Sequence, residues 1–227
     1  DKCLYFSTRT KAAMRVLAID PGIWNFSYCI AYTTPGTGVT VKQWCNINML
    51  HEAGYSEDTR NKIKVTEMTQ TFLSHVFVSA LERMFPPSMV RHDFDKIVIE
   101  NQVRGGKRSG RMPELATTIF NYFTIACSSR NVCCWAFPDI HMMDPKLKFD
   151  EGKYFRLSAA ALIPGGTGTK PSYAQRKAYG VRLANTLINH LDGPDIPDNI
   201  LAEFASTGKK DDMADSLLLA AVALRGL

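Results

Sequence analysis

Hydrophobic and polar positions alternate along this chain in a way that defines its elements. Residues 15–20, Arg-Val-Leu-Ala-Ile-Asp, are a short apolar run closed by Pro21-Gly22, the pattern of a buried strand and a turn. Phe26 to Thr33 and Val39 to Ile47 are rich in aromatic and β-branched residues, and Pro35-Gly36-Thr37-Gly38 between them predicts a hairpin connection. From about 60 to 85 the period changes. Val65, Met68, Phe72, Val76 and Ala80 recur at spacings of three or four, one face of a helix that Pro86-Pro87 stops. Lys96 to Glu100 is another buried strand ending in an acid. Residues 104–111 form a flexible basic loop, and a helix follows over about 113–129. A strand is predicted at 131–137, an irregular stretch at 138–170, a helix at 172–191, a loop rich in Pro and Asp at 192–208, and a last helix at 211–225. Three strands followed by strands that alternate with helices imply an α/β domain, a mixed sheet with helices on its faces.

Composition narrows the class. The 227 residues, 45% apolar and 10% aromatic, are expected to form one domain over residues 15–227 behind an N-terminal extension, residues 1–14. General disorder is excluded. The net charge of +5 only hints at an anionic partner. The six cysteines contain no C-x-x-C pair, so reduced, mostly buried thiols are expected and a structural zinc site is not. No apolar run approaches the ~20 residues of a membrane-crossing helix, and no secretory signal peptide is read. The chain begins at Asp1, so any targeting segment is expected to lie outside it.

Three separated segments place acids at the ends of elements. Asp20 closes the first strand, although Asp-Pro-Gly is also a plain turn. Glu100 closes another apolar strand, where a lone acid also reads as a solvated cap. Lys209-Lys-Asp-Asp-Met-Ala-Asp-Ser216 opens the last helix. Asp211 and Asp212 there complement the helix dipole. Asp215, however, shares a face with Asp212, Leu219 and Val222, so its carboxylate continues an inward stripe and calls for a cation. Parallel neighbouring strands would bring Asp20 and Glu100 together, with the last helix adding Asp212 and Asp215. Clustered carboxylates suit a hard divalent ion, Mg²⁺ or Mn²⁺, and two such ions about 4 Å apart suit phosphodiester hydrolysis. Lys177 falls on the stripe Tyr173, Lys177, Val181, Ala184, Ile188; it either snorkels to solvent or aims a cation at the scissile phosphate. Arg104, Lys107, Arg108 and Arg111 follow Glu100, either as a solvated loop or as contacts to a phosphate backbone. Arg176, Lys209 and Lys210 are further DNA-binding candidates.

The stretches Val16-Leu-Ala-Ile-Asp-Pro-Gly-Ile-Trp-Asn-Phe-Ser-Tyr-Cys29 and Lys209 to Ser216 closely resemble the fungal mitochondrial Holliday junction resolvases. That family lies in the RuvC-like branch of the ribonuclease-H-like fold, with poxvirus resolvases as cousins. Ile97-Val-Ile-Glu100-Asn-Gln102 with Arg108-Ser-Gly110 resembles its second acidic motif, and Ser172-Tyr-Ala-Gln-Arg-Lys177 a basic motif of the poxvirus members. Asn101 stands where the family often has Arg. The N-terminal helical DNA-binding module of some relatives has no counterpart here. The resemblance implies a five-stranded ribonuclease-H-like domain. It implies that Asp20, Glu100, Asp212 and Asp215 are catalytic metal ligands, with Lys177 assisting and Asp211 able to share or replace the role of Asp212. It also implies four-way junction DNA as the substrate, a mitochondrial location and a homodimer.

Substrate symmetry supplies a physical reason for that dimer: one chain offers one acid cluster, and a junction needs two cuts. The helix at 113–129, with Leu115, Ile119, Tyr122 and Phe123, offers an interface, unless that face packs on its own sheet. No membrane partner and no small-molecule cofactor beyond the metal is expected. Competing readings are a ribonuclease H acting on RNA–DNA hybrids and a non-catalytic junction binder. An actin-type ATPase or sugar kinase needs a second phosphate-binding Asp-Gly hairpin, and none is found.

Overall fold

Strand β1 (Arg15–Asp20) is buried at every residue after Arg15, so it must be covered on both faces, and it lies at the centre of the sheet. Antiparallel to it runs β2 (Phe26–Thr34), with Leu17 opposite Ile30 and Asp20 opposite Ser27. Parallel to it on the other side runs β4 (Lys96–Glu100), with Ile19 opposite Ile99. Beyond β2 lies antiparallel β3 (Gly38–Ile47), and beyond β4 parallel β5 (Asp139–Met143). The order of the five strands is β3-β2-β1-β4-β5, the mixed sheet that the sequence predicts. The structure is a computed structural model, and it describes residues 13–34, 38–56, 64, 67–102, 111–128, 137–149, 172–190 and 193–225.

Side chains alternate across the central strands. Leu17, Ile19, Ile97 and Ile99 enter one core. It is covered by α2 (Gln70–Met84), α3 (Pro87–Asp93) and α4 (Met112–Ser128), with the single turn α1 (Met49–Glu52) at its edge. Val16, Ala18 and Val98 enter the other core, under α5 (Tyr173–Ile188), α6 (Asp198–Ser206) and α7 (Lys210–Arg225). After its acidic first turn α7 is buried nearly all round, from Ser216 to Leu224, as a helix clasped between a sheet and other helices must be.

Local chemistry sets the boundaries that periodicity left loose. Thr69 caps α2 by accepting from the Phe72 N–H, so this helix begins well after residue 60. Its buried face is Leu73, Val76, Phe77, Ala80 and Leu81, which keeps Val76 and Ala80 of the predicted stripe and widens it; Met68 is buried just before the helix, Phe72 is only partly buried and Val65 lies outside the described residues. The two prolines stop α2 as expected, and Pro87 then opens α3. Ser172 and Gln175 form a capping box at the start of α5.

Four expectations need correction. The strand after α4 is Asp139–Met143, inside the stretch expected to be irregular; residues 131–136 lie outside the described residues. This strand sits at the sheet edge and buries fully only Met143, so its hydrophobic pattern is weak. The Pro- and Asp-rich segment contains α6, whose Phe204 stacks on Trp44 at 4.4 Å between centroids. On α5 the inward face is Gly180, Leu183, Ala184 and Leu187, while Tyr173 is 66% exposed. Finally, Leu115, Ile119, Tyr122 and Phe123 of α4 are all buried within their own core, and the Tyr122 hydroxyl donates to the Phe85 carbonyl at 2.7 Å. Those side chains offer no surface to a second copy. Cys29, Cys45 and Cys127 are free thiols; the other cysteines lie outside the described residues. Among the described residues no helix is long and apolar enough to cross a membrane.

Candidate active site

The register of β1 and β4 sets the site. Asp20 and Glu100 each end a strand, and because these strands are parallel neighbours their carboxylates emerge side by side at one edge of the sheet. Immediately after Asp20 the chain turns so tightly that a Cβ on Gly22 would lie 2.2 Å from the Asn25 carbonyl oxygen, so only glycine fits. The third acid comes from α7. Trp44 of β3 donates from Nε1 to the Met213 carbonyl at 2.7 Å, and the buried hydroxyls of Ser27 and Ser216 share a hydrogen bond of 2.9 Å. These ties hold the first turns of α7 over the sheet and bring Asp215 to the strand ends. One carboxylate oxygen from each of Asp20, Glu100 and Asp215 lies within 4.8 Å of the others. Asp20 and Glu100 are both buried, and Gln102 reaches Asp20 Oδ1 at 3.5 Å.

Two lysines answer this negative charge. The ammonium of Lys148 sits inside the cluster, 2.9 Å from Glu100 Oε2 and 2.6 Å from Asp215 Oδ2. It arrives through β5, whose last residue pairs with Glu100; the Asn101 N–H bonds the Met143 carbonyl, and Lys148 follows on the single 3₁₀ turn Leu147–Phe149. Lys177 stands at the rim. It pairs with Asp211, lies 3.6 Å from Asp212 Oδ1, and sits 5.2 Å from the Tyr173 ring centroid.

Electrostatics mark the cluster as a place for cations. Burial, then the charges of Glu100 and Asp215, raise Asp20 well above the usual carboxylate range. Burial pushes Asp215 up to about 6, against the pull of Lys148. Burial and the neighbouring Asp211 push Asp212 up to about 6. Burial would raise Asp211 too, but the Lys177 hydrogen bond and charge outweigh it and hold Asp211 low. For Lys148, burial works against the charged form, yet Glu100, Asp215 and Asp20 overcome it and its affinity for a proton is raised. Hard oxygen donors crowded at an excess of negative charge, with an ammonium already seated among them, fit a divalent cation.

The predicted residues divide accordingly. Asp20, Glu100 and Asp215 come together. Asp211 and Asp212 lie one turn earlier on α7 and turn to Lys177, although the charge of Asp212 still reaches Asp20. Arg176 and Lys209 are exposed, Lys210 and Arg111 are half-buried, and Arg104, Lys107 and Arg108 lie outside the described residues. Lys148 was missed. Its one signal is a lysine between Leu147 and Phe149, too common a pattern to single out.

No family model matches the chain, and no curated protein sequence matches it. Solved structures do match. The yeast mitochondrial Holliday junction resolvase Ydc2 superposes with a TM-score of 0.64 at 21% identity, over 93% of this chain and 79% of that one. The fowlpox virus resolvase, solved with its substrate Holliday junction DNA, gives a TM-score of 0.50 at 14% identity, over 93% of this chain and 97% of that one. These likenesses establish the fold: the chain has the ribonuclease-H-like fold of the junction resolvases.

Proposed function

We propose that this protein is a structure-selective endonuclease that resolves four-way DNA junctions by metal-dependent phosphodiester hydrolysis, with residues 15–227 as its nuclease domain. The observation that carries the reading is the convergence of Asp20, Glu100 and Asp215 at the ends of β1 and β4, in the fold that the solved resolvases share. Asp20, Glu100 and Asp215 would hold Mg²⁺ or Mn²⁺, with Asp212, or Asp211 in its place, as the further acid of a two-ion site. Bound there, the ions supply charge to offset the phosphodiester and to acidify an attacking water.

The chain's own residues do the rest. The strand ends and the Trp44–Met213 tie fix the three carboxylates before substrate arrives, so little reorganisation remains for the reaction. Gln102 orients the Asp20 carboxylate. Lys177, steadied by Asp211, carries a positive charge at the rim, where it can stabilise charge developing on the scissile phosphate. Arg104, Lys107, Arg108, Arg111, Arg176, Lys209 and Lys210 contact the DNA backbone and position it.

A junction has approximate two-fold symmetry, and each chain brings one acid cluster. A homodimer that makes paired nicks on symmetric strands therefore completes the reading, with an interface other than the buried face of α4. A mitochondrial location accords with the yeast mitochondrial resolvase among the structural neighbours. A substrate panel tests the function: synthetic four-way junction beside matched duplex, flap and RNA–DNA hybrid, with Mg²⁺ and with EDTA. Metal-dependent cutting of the junction above all others is expected. Preference for the hybrid would make it a ribonuclease H, and binding without cutting a junction-binding protein.

A further inference from the structure

Lys148 is out of place for a lysine. Only 4% of it is exposed, and its ammonium lies within the acid cluster rather than in water, where the flexible stem would ordinarily carry it. An ammonium has no acceptor and cannot ligate a metal. It occupies Glu100 Oε2 and Asp215 Oδ2, oxygens from two of the three acids whose arrangement fits a divalent ion. A divalent ion drawing on those oxygens would therefore compete with Lys148 for them.

We propose that Lys148 is the built-in counter-cation of the metal-free site, seated on Glu100 and Asp215, and that a divalent ion displaces it on binding. This rests on the reading of Asp20, Glu100 and Asp215 as metal ligands. The surrounding structure suits an ammonium that leaves while its backbone stays. The turn carrying Lys148 is anchored by Asp144, whose side chain accepts from the Lys146 N–H at 2.9 Å and whose carbonyl accepts from the Leu147 N–H at 3.0 Å. With the turn so held, displacement would be a rotation of the four-carbon stem. Lys177 differs: it pairs with Asp211 and Asp212 at the rim and is a third exposed.

The device has two consequences. Without metal, the ammonium compensates carboxylates that would otherwise repel one another, so the site stays assembled. With metal, binding must first vacate the seat, and the apparent affinity falls by the fraction of molecules in which the seat is open.

Lysine methylation of the whole chain, read residue by residue by mass spectrometry during a Mg²⁺ titration, tests the proposal. Lys148 is expected to be protected without Mg²⁺ and to gain reactivity about tenfold along the binding curve, as a seat mostly closed becomes mostly open. In parallel, Lys148→Met is expected to bind Mn²⁺ about tenfold more tightly by calorimetry, because the competing state is gone. Without metal it should melt lower than the wild type, the loss being recovered at saturating Mn²⁺. Lys148 still protected at saturating Mg²⁺ overturns the inference, and so does an unchanged Mn²⁺ affinity in the variant. Absence of any Mn²⁺ binding by the wild type overturns both the inference and the metal reading beneath it. If Lys148→Met does not fold, the labelling of the unmodified protein decides alone.

Discussion

Trp44 on β3 and Met213 on α7, far apart in sequence, are joined by a hydrogen bond of 2.7 Å from the indole Nε1 to the main-chain carbonyl. Met213 lies two residues before Asp215, so this bond fixes the helix that carries the third acid. The indole also stacks on Phe204, which ties α6 into the same corner.

Trp44→Phe keeps an aromatic ring and removes the donor. The Met213 carbonyl keeps the Ser216 hydroxyl as a donor, so the loss is expected to destabilise the protein by about 0.5–1.5 kcal/mol. For a chain of this size that lowers Tm by about 2–4 °C per kcal/mol. The variant should also need more metal for half-maximal cleavage, because α7 is less well held. Thermal melts and a metal titration check this; a wild-type Tm would show that the bond does not hold the helix.

Much of this corner was legible in the sequence, and its limits are physical. The runs ending at Asp20 and Glu100 are nearly continuous apolar stretches, so strands buried on both faces were readable, and with them two of the three acids. Asp215 was readable from its phase against Leu219 and Val222. The strand Asp139–Met143 was not, because an edge strand buries too little to leave a period. The inward face of α4 was identified, but its partner was not: periodicity says that Leu115 and Phe123 are buried, not whether their own sheet or a second copy buries them. Nothing local places Lys148 at the site. Its partners are 48 residues away at Glu100 and farther still at Asp215, and only the pairing of β5 with β4 brings them together.

Lys177→Met is expected to slow cleavage about 10²–10³-fold, the scale of removing one charge-stabilising donor, with little change in junction affinity. Single-turnover rates at saturating enzyme measure it. A variant whose only defect is weaker binding would make Lys177 an ordinary backbone contact.

Stability should vary with pH in a direction set by the raised acids. Asp212 and Asp215, ordinarily near 3.8, are held near 6 in the folded protein, and Asp20 is raised as well. Between those values the native state binds more protons than the unfolded chain, so these groups lower stability as pH rises through the window. Asp211, held low, acts oppositely by contributing stability above its ordinary range. Lys148 and Lys177, both raised, contribute fully throughout the window and lose their effect only at alkaline pH. The metal-free Tm of the wild type should therefore fall more steeply from pH 3.8 to about 6 than that of Asp215→Asn. Saturating Mn²⁺ should offset the fall toward the upper end of the window, where the carboxylates bind it ionised. Equal slopes for the two metal-free proteins would contradict the raised Asp215.

The basic residues are expected to act through phosphates. Replacing Arg176 and Lys209 with Ala, or Lys107 and Arg108 with Ala, should weaken junction binding and reduce the slope of log affinity against log salt by about 0.9 per lost contact. Binding isotherms at several salt concentrations measure the slope. An unchanged slope would return that pair to the solvated surface.

The central claim is that a symmetric pair of acid clusters cuts a junction twice in one binding event. A supercoiled plasmid bearing an extruded cruciform measures this directly, because a single independent nick relaxes the plasmid and destroys the cruciform before a second cut. With Mg²⁺ the protein should yield linear product, and with EDTA, or with Asp215→Asn, it should leave the plasmid supercoiled while still binding the junction. Nicked circles as the sole product would contradict paired resolution, and unimpaired cutting by Asp215→Asn would contradict the active site itself.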